Sequence, residues 1–219
     1  MNNILYIFLF LLYNTQDLKV ISYNIRYNNP NDGVNIWDNR KSTVTEFISN
    51  EEADFVGMQE VLNSQLTDLM GSLIEYDYVG VGRDDGKNKG EYSPILFDKN
   101  KYKVLRSNTF WLSETPNKIS VGWDASMERI CTYGLFENRN SSKKIWVFNT
   151  HFDHVGVLAR EKSIELIIDK INELNKMNFP VLLTGDFNLG DENKSITKLQ
   201  NEFIDSKKDI LKSNEFYGT

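Results

Sequence analysis

Residues 180–188 read Pro180-Val181-Leu182-Leu183-Thr184-Gly185-Asp186-Phe187-Asn188, and this stretch decides how the remainder of the chain is read. An apolar run with the length of a buried strand leads straight into Gly-Asp-Phe-Asn, so one strand hands a carboxylate and a carboxamide to a single loop. Three comparable deposits precede it: Asn24 behind 18–23, Gln59-Glu60 behind 55–58, and His151 behind 145–150. Strand ends carrying acidic and hydrogen-bonding groups suit metal-assisted chemistry on phosphate, where a cation and fixed donors meet the charge that builds on oxygen.

Working outward, strand-like runs rich in Val, Ile, Tyr and Phe recur at 18–23, 53–58, 76–81, 93–97, 102–112, 130–136, 145–150 and 180–183, bounded by Gly, Asn, Asp or Pro. Between them lie helical stripes. Leu66, Leu69, Met70 and Leu73 fall at i, i+3, i+4, i+7; Ile164, Ile167, Ile168, Ile171 and Leu174 repeat the stripe; Val44, Phe47 and Ile48 mark a third. Interleaved strands and helices, with hairpins expected between 93–97 and 102–112 and between 130–136 and 145–150, predict an α+β domain or a layered α/β domain. A chain of 219 residues fits one such domain with a substantial core.

Composition narrows the partners. Twenty-five basic residues against 31 acidic ones give a net charge of −6, so no bulk attraction draws this chain to nucleic acid and no stable nucleic-acid complex is expected. The apolar run 4–13 is too short for a permanent membrane helix and reads as part of a signal peptide over 1–16, which predicts export and no transmembrane anchor once the signal is removed. Cys131 is the only cysteine and sits in an apolar, strand-like run, so it reads as a buried, inert thiol.

Among the candidate site residues, Glu60 and Asp186 are the best ligands for Mg²⁺ or Mn²⁺, which take hard oxygen donors from one or two carboxylates and fill the other positions with water and substrate phosphate. His151 and His154 are the only histidines; as a His-x-x-His pair without a third nitrogen or thiolate nearby they make a poor zinc site, and His151 is better placed as a phosphate-binding hydrogen-bond donor or general acid. Arg129, ahead of a strand, could grip a phosphate with its planar fork or pair with an acid at the surface. Arg83-Asp84-Asp85-Gly86-Lys87 reads as a solvated loop whose acids cancel its basic charge.

These segments resemble the endonuclease/exonuclease/phosphatase (DNase I-like) superfamily. Ser22-Tyr23-Asn24-Ile25-Arg26, Gln59-Glu60, Asn149-Thr150-His151 and Gly185-Asp186-Phe187-Asn188 match its motifs in order. Segments 82–86, 90–94, 110–116 and 122–125 are similar to an exported bacterial branch near the deadenylases of the carbon-catabolite-repressor type. The resemblance implies a four-layer α/β sandwich with the site at one edge of two packed sheets, and in-line attack of water on a phosphate ester. It implies that Glu60 holds Mg²⁺ with Asn24 in support, that Asp186 orients water or binds metal, that Asn188 stabilises phosphate charge, and that His151 contacts phosphate or donates a proton. Phosphorylated substrates follow: a nucleotide, a phospholipid or a sugar phosphate, turned over by a monomer. The family pattern ends in Ser-Asp-His behind further strands, whereas no histidine follows His154 here. A DNase I-like sandwich lacking its last strands, in a chain of impaired activity, is therefore expected; the alternative is a non-catalytic remnant that binds metal or a phosphorylated ligand.

Overall fold

The computed structural model describes residues 18–190 and 192–206; the expected signal over 1–16 lies outside them. Among the described residues, eight strands form two four-stranded sheets. The first contains β1 (Val20–Asn24), β2 (Phe55–Gln59), β3 (Tyr76–Val79) and β4 (Ile95–Asp98) in the order β1-β2-β4-β3. The second contains β5 (Tyr102–Trp111), β6 (Ile130–Asn138), β7 (Lys144–His151) and β8 (Val181–Asp186) in that order. Helices α1 (Trp37–Glu51) and α2 (Asn63–Ser72) belong to the first half of the chain, and α3 (Val157–Leu174) and α4 (Lys194–Glu202) to the second.

Period-two alternation explains the layering. In β2 every residue is buried, with Val56 and Met58 joining the cluster of Trp37, Val44, Ile48, Leu66 and Leu69 from α1 and α2, while Phe55 turns the other way. In β7, Trp146 and Phe148 meet Ile164, Ile167 and Ile171 of α3, whereas Val147 joins Phe55, Ile95, Phe97, Tyr102 and Phe136 between the sheets. Helices therefore cover the outer face of each sheet, and the order of layers is α/β/β/α, as the family resemblance implies. Full burial of a side chain such as Phe55 or Phe136 contributes about 1.5–3 kcal/mol, so the aromatic contacts joining them across the sheets, with centroids 4.9 Å apart, lie in a strongly apolar centre.

The expected hairpin between 130–136 and 145–150 forms, as β6 and β7. The other expected hairpin does not: β4 pairs with β2 and β3, and β5 pairs with β6 in the opposite sheet. Phe97 and Tyr102, which flank the connecting turn, are both seated in the aromatic centre between the sheets, so the chain crosses from one sheet to the other instead of folding back. The helix α4 adds an element that the stripes did not predict.

One polar knot ties the sheets together at the site end. The Asn149 side chain is wholly buried; its Nδ2 donates to the carbonyls of Met58 (2.7 Å) and Pro94 (2.9 Å), and its Oδ1 accepts from Gln59 Nε2 (2.8 Å) and Thr184 Oγ1 (3.0 Å). Gly57 lies beneath it because a β-carbon there would stand 2.0 Å from Thr184 Oγ1.

Candidate active site

Parallel pairing in each sheet aligns the strand ends that carry the chemistry. Asn24 faces Gln59 across β1 and β2, and His151 faces Asp186 across β7 and β8. Glu60 follows β2 and Asn188 follows β8, both with left-handed backbones (φ 60° and 47°), a conformation that costs non-glycine residues energy and turns their side chains off the strand axis.

The amide of Asn24 joins the two sheets. Its Nδ2 donates to Glu60 Oε1 at 2.9 Å and to Asp186 Oδ2 at 3.0 Å, although Asp186 is 162 residues away. The remaining oxygens of both acids are held by backbone: Tyr27 N donates to Glu60 Oε2 (3.1 Å) and Asn188 N to Asp186 Oδ1 (3.0 Å). The loop that brings Tyr27 there is pinned by buried Gln65, whose Oε1 accepts from Asn28 N and whose Nε2 donates to the Arg26 carbonyl. The structure thus brings together Asn24, Glu60, Asp186, His151 and Asn188, the five residues that the strand ends single out.

Hydrogen bonding fixes the state of His151. Asn188 Nδ2 lies 2.9 Å from the Phe152 carbonyl, which only accepts, so this atom is the amide nitrogen, and its other hydrogen points to His151 Nε2 at 3.1 Å. His151 is therefore neutral, with its proton on Nδ1, a buried atom with no partner. Its pKa is pushed down to about 4, first by burial and then by the Arg129 guanidinium, against the pull of Asp186 and Glu60.

Arg129 is deeply buried and in an ion pair, Nε to Asp153 Oδ1 at 3.3 Å, with Nη2 donating to His154 Nδ1 at 3.0 Å. Burial alone would raise the Asp153 carboxyl, but bonds from Gly156 N, the Ser126 hydroxyl and Val155 N hold it well below the usual range. Asp153, absent from the sequence reading, is thus the anchor of Arg129, and its only sequence signal is its place two residues behind His151. His154 itself is exposed. Arg83 requires a correction: it does not sit in a solvated loop, although its Nε does lie 3.7 Å from Asp84 Oδ1. Its side chain is 13% exposed and forks onto Glu91, Nη1 to Oε2 at 3.0 Å and Nη2 to Oε1 at 3.3 Å, because the turn over 82–90 doubles back to bring the two together. Cys131 is buried and its thiol is pushed up by desolvation, as an inert thiol should be.

A profile of the endonuclease/exonuclease/phosphatase family matches residues 21–201, which takes in every one of these side chains. The chain belongs to the endonuclease/exonuclease/phosphatase family. Its fold is similar to that of a family member from Bacteroides vulgatus (TM-score 0.82, 48% identity, covering 84% of this chain and 70% of that one). It is also similar to a mannosyl-6-phosphatase from Bacteroides thetaiotaomicron VPI-5482 (TM-score 0.83, 39% identity, 85% and 71%). An uncharacterized protein of Acanthamoeba polyphaga mimivirus is 31% identical over 195 residues, which span 85% of this chain and 72% of that relative.

Members of the family are hydrolases of phosphate esters that use divalent metal ions. The donors here fit such an ion: Glu60 and Asp186 supply hard carboxylate oxygens that share one amide nitrogen and so lie no more than about 6 Å apart. Among the described residues, no group of three or more His, Cys, Asp or Glu side chains that could hold a metal comes together. A site with few protein ligands matches the habit of Mg²⁺, which keeps several waters and binds through one or two carboxylates.

Proposed function

We propose that this chain is a divalent-metal-dependent hydrolase of phosphate esters acting on small phosphorylated compounds, with sugar phosphates as the leading class. The observation that carries the reading is the Asn24 bridge, which sets carboxylates from opposite sheets around one point at an open strand end. The likeness to a mannosyl-6-phosphatase at 39% identity supports the sugar-phosphate class, and the net charge of −6 speaks against long polyanions.

In this reading Glu60 and Asp186 hold Mg²⁺ or Mn²⁺, which supplies charge neutralisation at the phosphoryl oxygens. Asn24 fixes the spacing of the two carboxylates. Asp186 also orients the attacking water, and Asn188 holds the imidazole so that Nδ1–H remains the donor available to the phosphoryl group. His151, neutral near pH 7, gives a hydrogen bond without carrying charge. The same reading has residues 1–16 directing export, which N-terminal sequencing of the mature protein tests.

The alternative reading is a scaffold that binds metal or a phosphorylated ligand without turnover. Phosphate release from sugar phosphates, assayed with Mg²⁺ or Mn²⁺ and again in EDTA, separates the two. The hydrolase reading expects metal-dependent release that Glu60→Gln abolishes. Metal binding by calorimetry with no release from any substrate would install the second reading in its place.

A further inference from the structure

Between β1 and α1 the chain folds into a loop that walls an open cavity of about 430 Å³ with Arg26, Asp32, Asn35 and Arg40. Small-molecule pockets run to ~300–1,000 Å³, so the space suits a compact ligand. Arg26 forks onto Asp32, Nε to Oδ2 and Nη2 to Oδ1, both at 2.6 Å, and the Asp32 side chain is only 9% exposed. Arg40 fixes the loop from within: Nε donates to the Asn35 carbonyl (2.5 Å), Nη1 to the Ile25 carbonyl (2.6 Å) and Nη2 to the Arg26 carbonyl (3.2 Å). Held at that carbonyl by Gln65 as well, Arg26 keeps a left-handed backbone (φ 56°) that costs a non-glycine residue energy. The cavity therefore has its shape before any ligand arrives. It also adjoins the candidate active site. Arg26 follows Asn24 by two residues, a span of at most ~7 Å; its N–H donates to Asn24 Oδ1 at 2.9 Å, and the Glu60 charge acts on its guanidinium.

We propose that this cavity is the subsite for the hydroxylated, non-reacting part of a sugar phosphate, with Arg26, Asp32 and Asn35 as its specificity-determining residues and Arg40 as a positioning residue. The inference rests on the phosphoesterase reading for the reaction, but on the cavity walls for the class of ligand. A carboxylate offers about four acceptor positions, and Arg26 takes two of those on Asp32, which leaves lone pairs for ring hydroxyls. Arg26 Nη1 makes no hydrogen bond among the described residues, and the Asn35 side chain is exposed, so both can donate to the oxygens of the same hydroxyls. Walls of mixed charge suit a neutral polyol, in which every hydroxyl both donates and accepts. Two other ligand classes fit less well. A second phosphate would meet the Asp32 charge, and none of the four lining side chains is aromatic, whereas nucleobases are held largely by stacking. A loop fixed in advance by Arg40 loses little entropy when the sugar binds.

The test compares mannose 6-phosphate with ethyl phosphate, an ester without hydroxyls, as ligands of the 219-residue protein. Calorimetry is done in EDTA, where the hydrolase reading expects no turnover. The parent should bind the sugar ester about 10- to 100-fold tighter than ethyl phosphate, the worth of one charge-assisted hydrogen bond. Asp32→Ala should remove most of that preference and Asn35→Ala part of it, while the affinity for ethyl phosphate stays within about twofold of the parent. Thermal unfolding of each variant verifies the fold, and if Asp32→Ala does not fold, Asp32→Asn and Asn35→Ala carry the comparison. No preference in the parent, a preference that survives these substitutions, equal weakening of both esters, or binding of neither overturns the subsite. An Asp32-dependent preference without metal-dependent phosphate release leaves the subsite standing and sinks the phosphoesterase reading. Metal-dependent release that treats both esters alike sinks only the subsite.

Discussion

Replacing Asn149 by alanine removes four hydrogen bonds from the centre of the protein: donations to the Met58 and Pro94 carbonyls, and acceptances from Gln59 and Thr184. At about 0.5–1.5 kcal/mol for each bond the gross loss is roughly 2–6 kcal/mol. Some partners keep a second bond: Gln59 Nε2 still reaches the Gly57 carbonyl at 3.2 Å, Thr184 Oγ1 the Phe148 carbonyl at 3.2 Å, and Met58 N still donates to the Pro94 carbonyl. The net cost is therefore in the lower half of that range, about 3 kcal/mol, which for a protein of this size lowers Tm by about 6–12 °C. Asn149→Asp should cost more than alanine, because it exchanges two donors for acceptors facing carbonyl oxygens and buries a charge. Urea unfolding followed by tryptophan fluorescence and far-ultraviolet circular dichroism gives the free energy, and the two probes should coincide with an unchanged m-value. If Asn149→Ala stays within about 0.5 kcal/mol of the parent, as an ordinary surface substitution would, the polar knot does not hold the sheets and the reasoning fails.

Gly57→Ala places a methyl group 2.0 Å from Thr184 Oγ1 and 2.7 Å from Asn149 Oδ1, so it should destabilise by at least about 1–3 kcal/mol. A double-mutant cycle with Thr184→Ala should show strong coupling, and simple additivity would count against the clash. His151, with its folded pKa pushed down to about 4 from 6.5, imposes no penalty above pH 6.5, where both states hold it neutral. As pH falls toward 4 the unfolded chain takes up a proton that the native protein refuses, so stability drops by up to about 3 kcal/mol and then levels. Measured in EDTA, the difference between the parent and His151→Gln stability curves should trace that step, and parallel curves would show that His151 is not desolvated.

Much of this was legible in the chain because burial on both faces of a strand leaves a continuous apolar run, as in β8, and the polar residue behind such a run must emerge at a sheet end. Periodicity located α1, α2 and α3 for the same reason. It missed α4, whose stripe is only Ile196 and Leu199 among polar residues, with Phe203 just beyond the helix. The pairing of β4 and β5 was misread because a short turn looks alike whether its strands join or part; the destination of Phe97 and Tyr102 in a shared core decides, and that is a long-range fact. Asn24, Glu60, His151, Asp186 and Asn188 were visible as residues, but not the Asn24 bridge between acids 126 residues apart, nor the tautomer of His151. Arg83 was read only from the charges next to it in sequence, whereas its closer partner is Glu91 at 3.0 Å, against 3.7 Å for Asp84, brought near by the turn between them.

The Asn24 bridge also dictates when during folding the site can exist. Neither half of the chain carries both carboxylates: Glu60 arrives with the first sheet, Asp186 with the second, and only docking of the two lets the Asn24 amide bridge them. On the proposed reading a nascent or half-folded chain would lack the site, and a cation bound there would resist separation of the sheets.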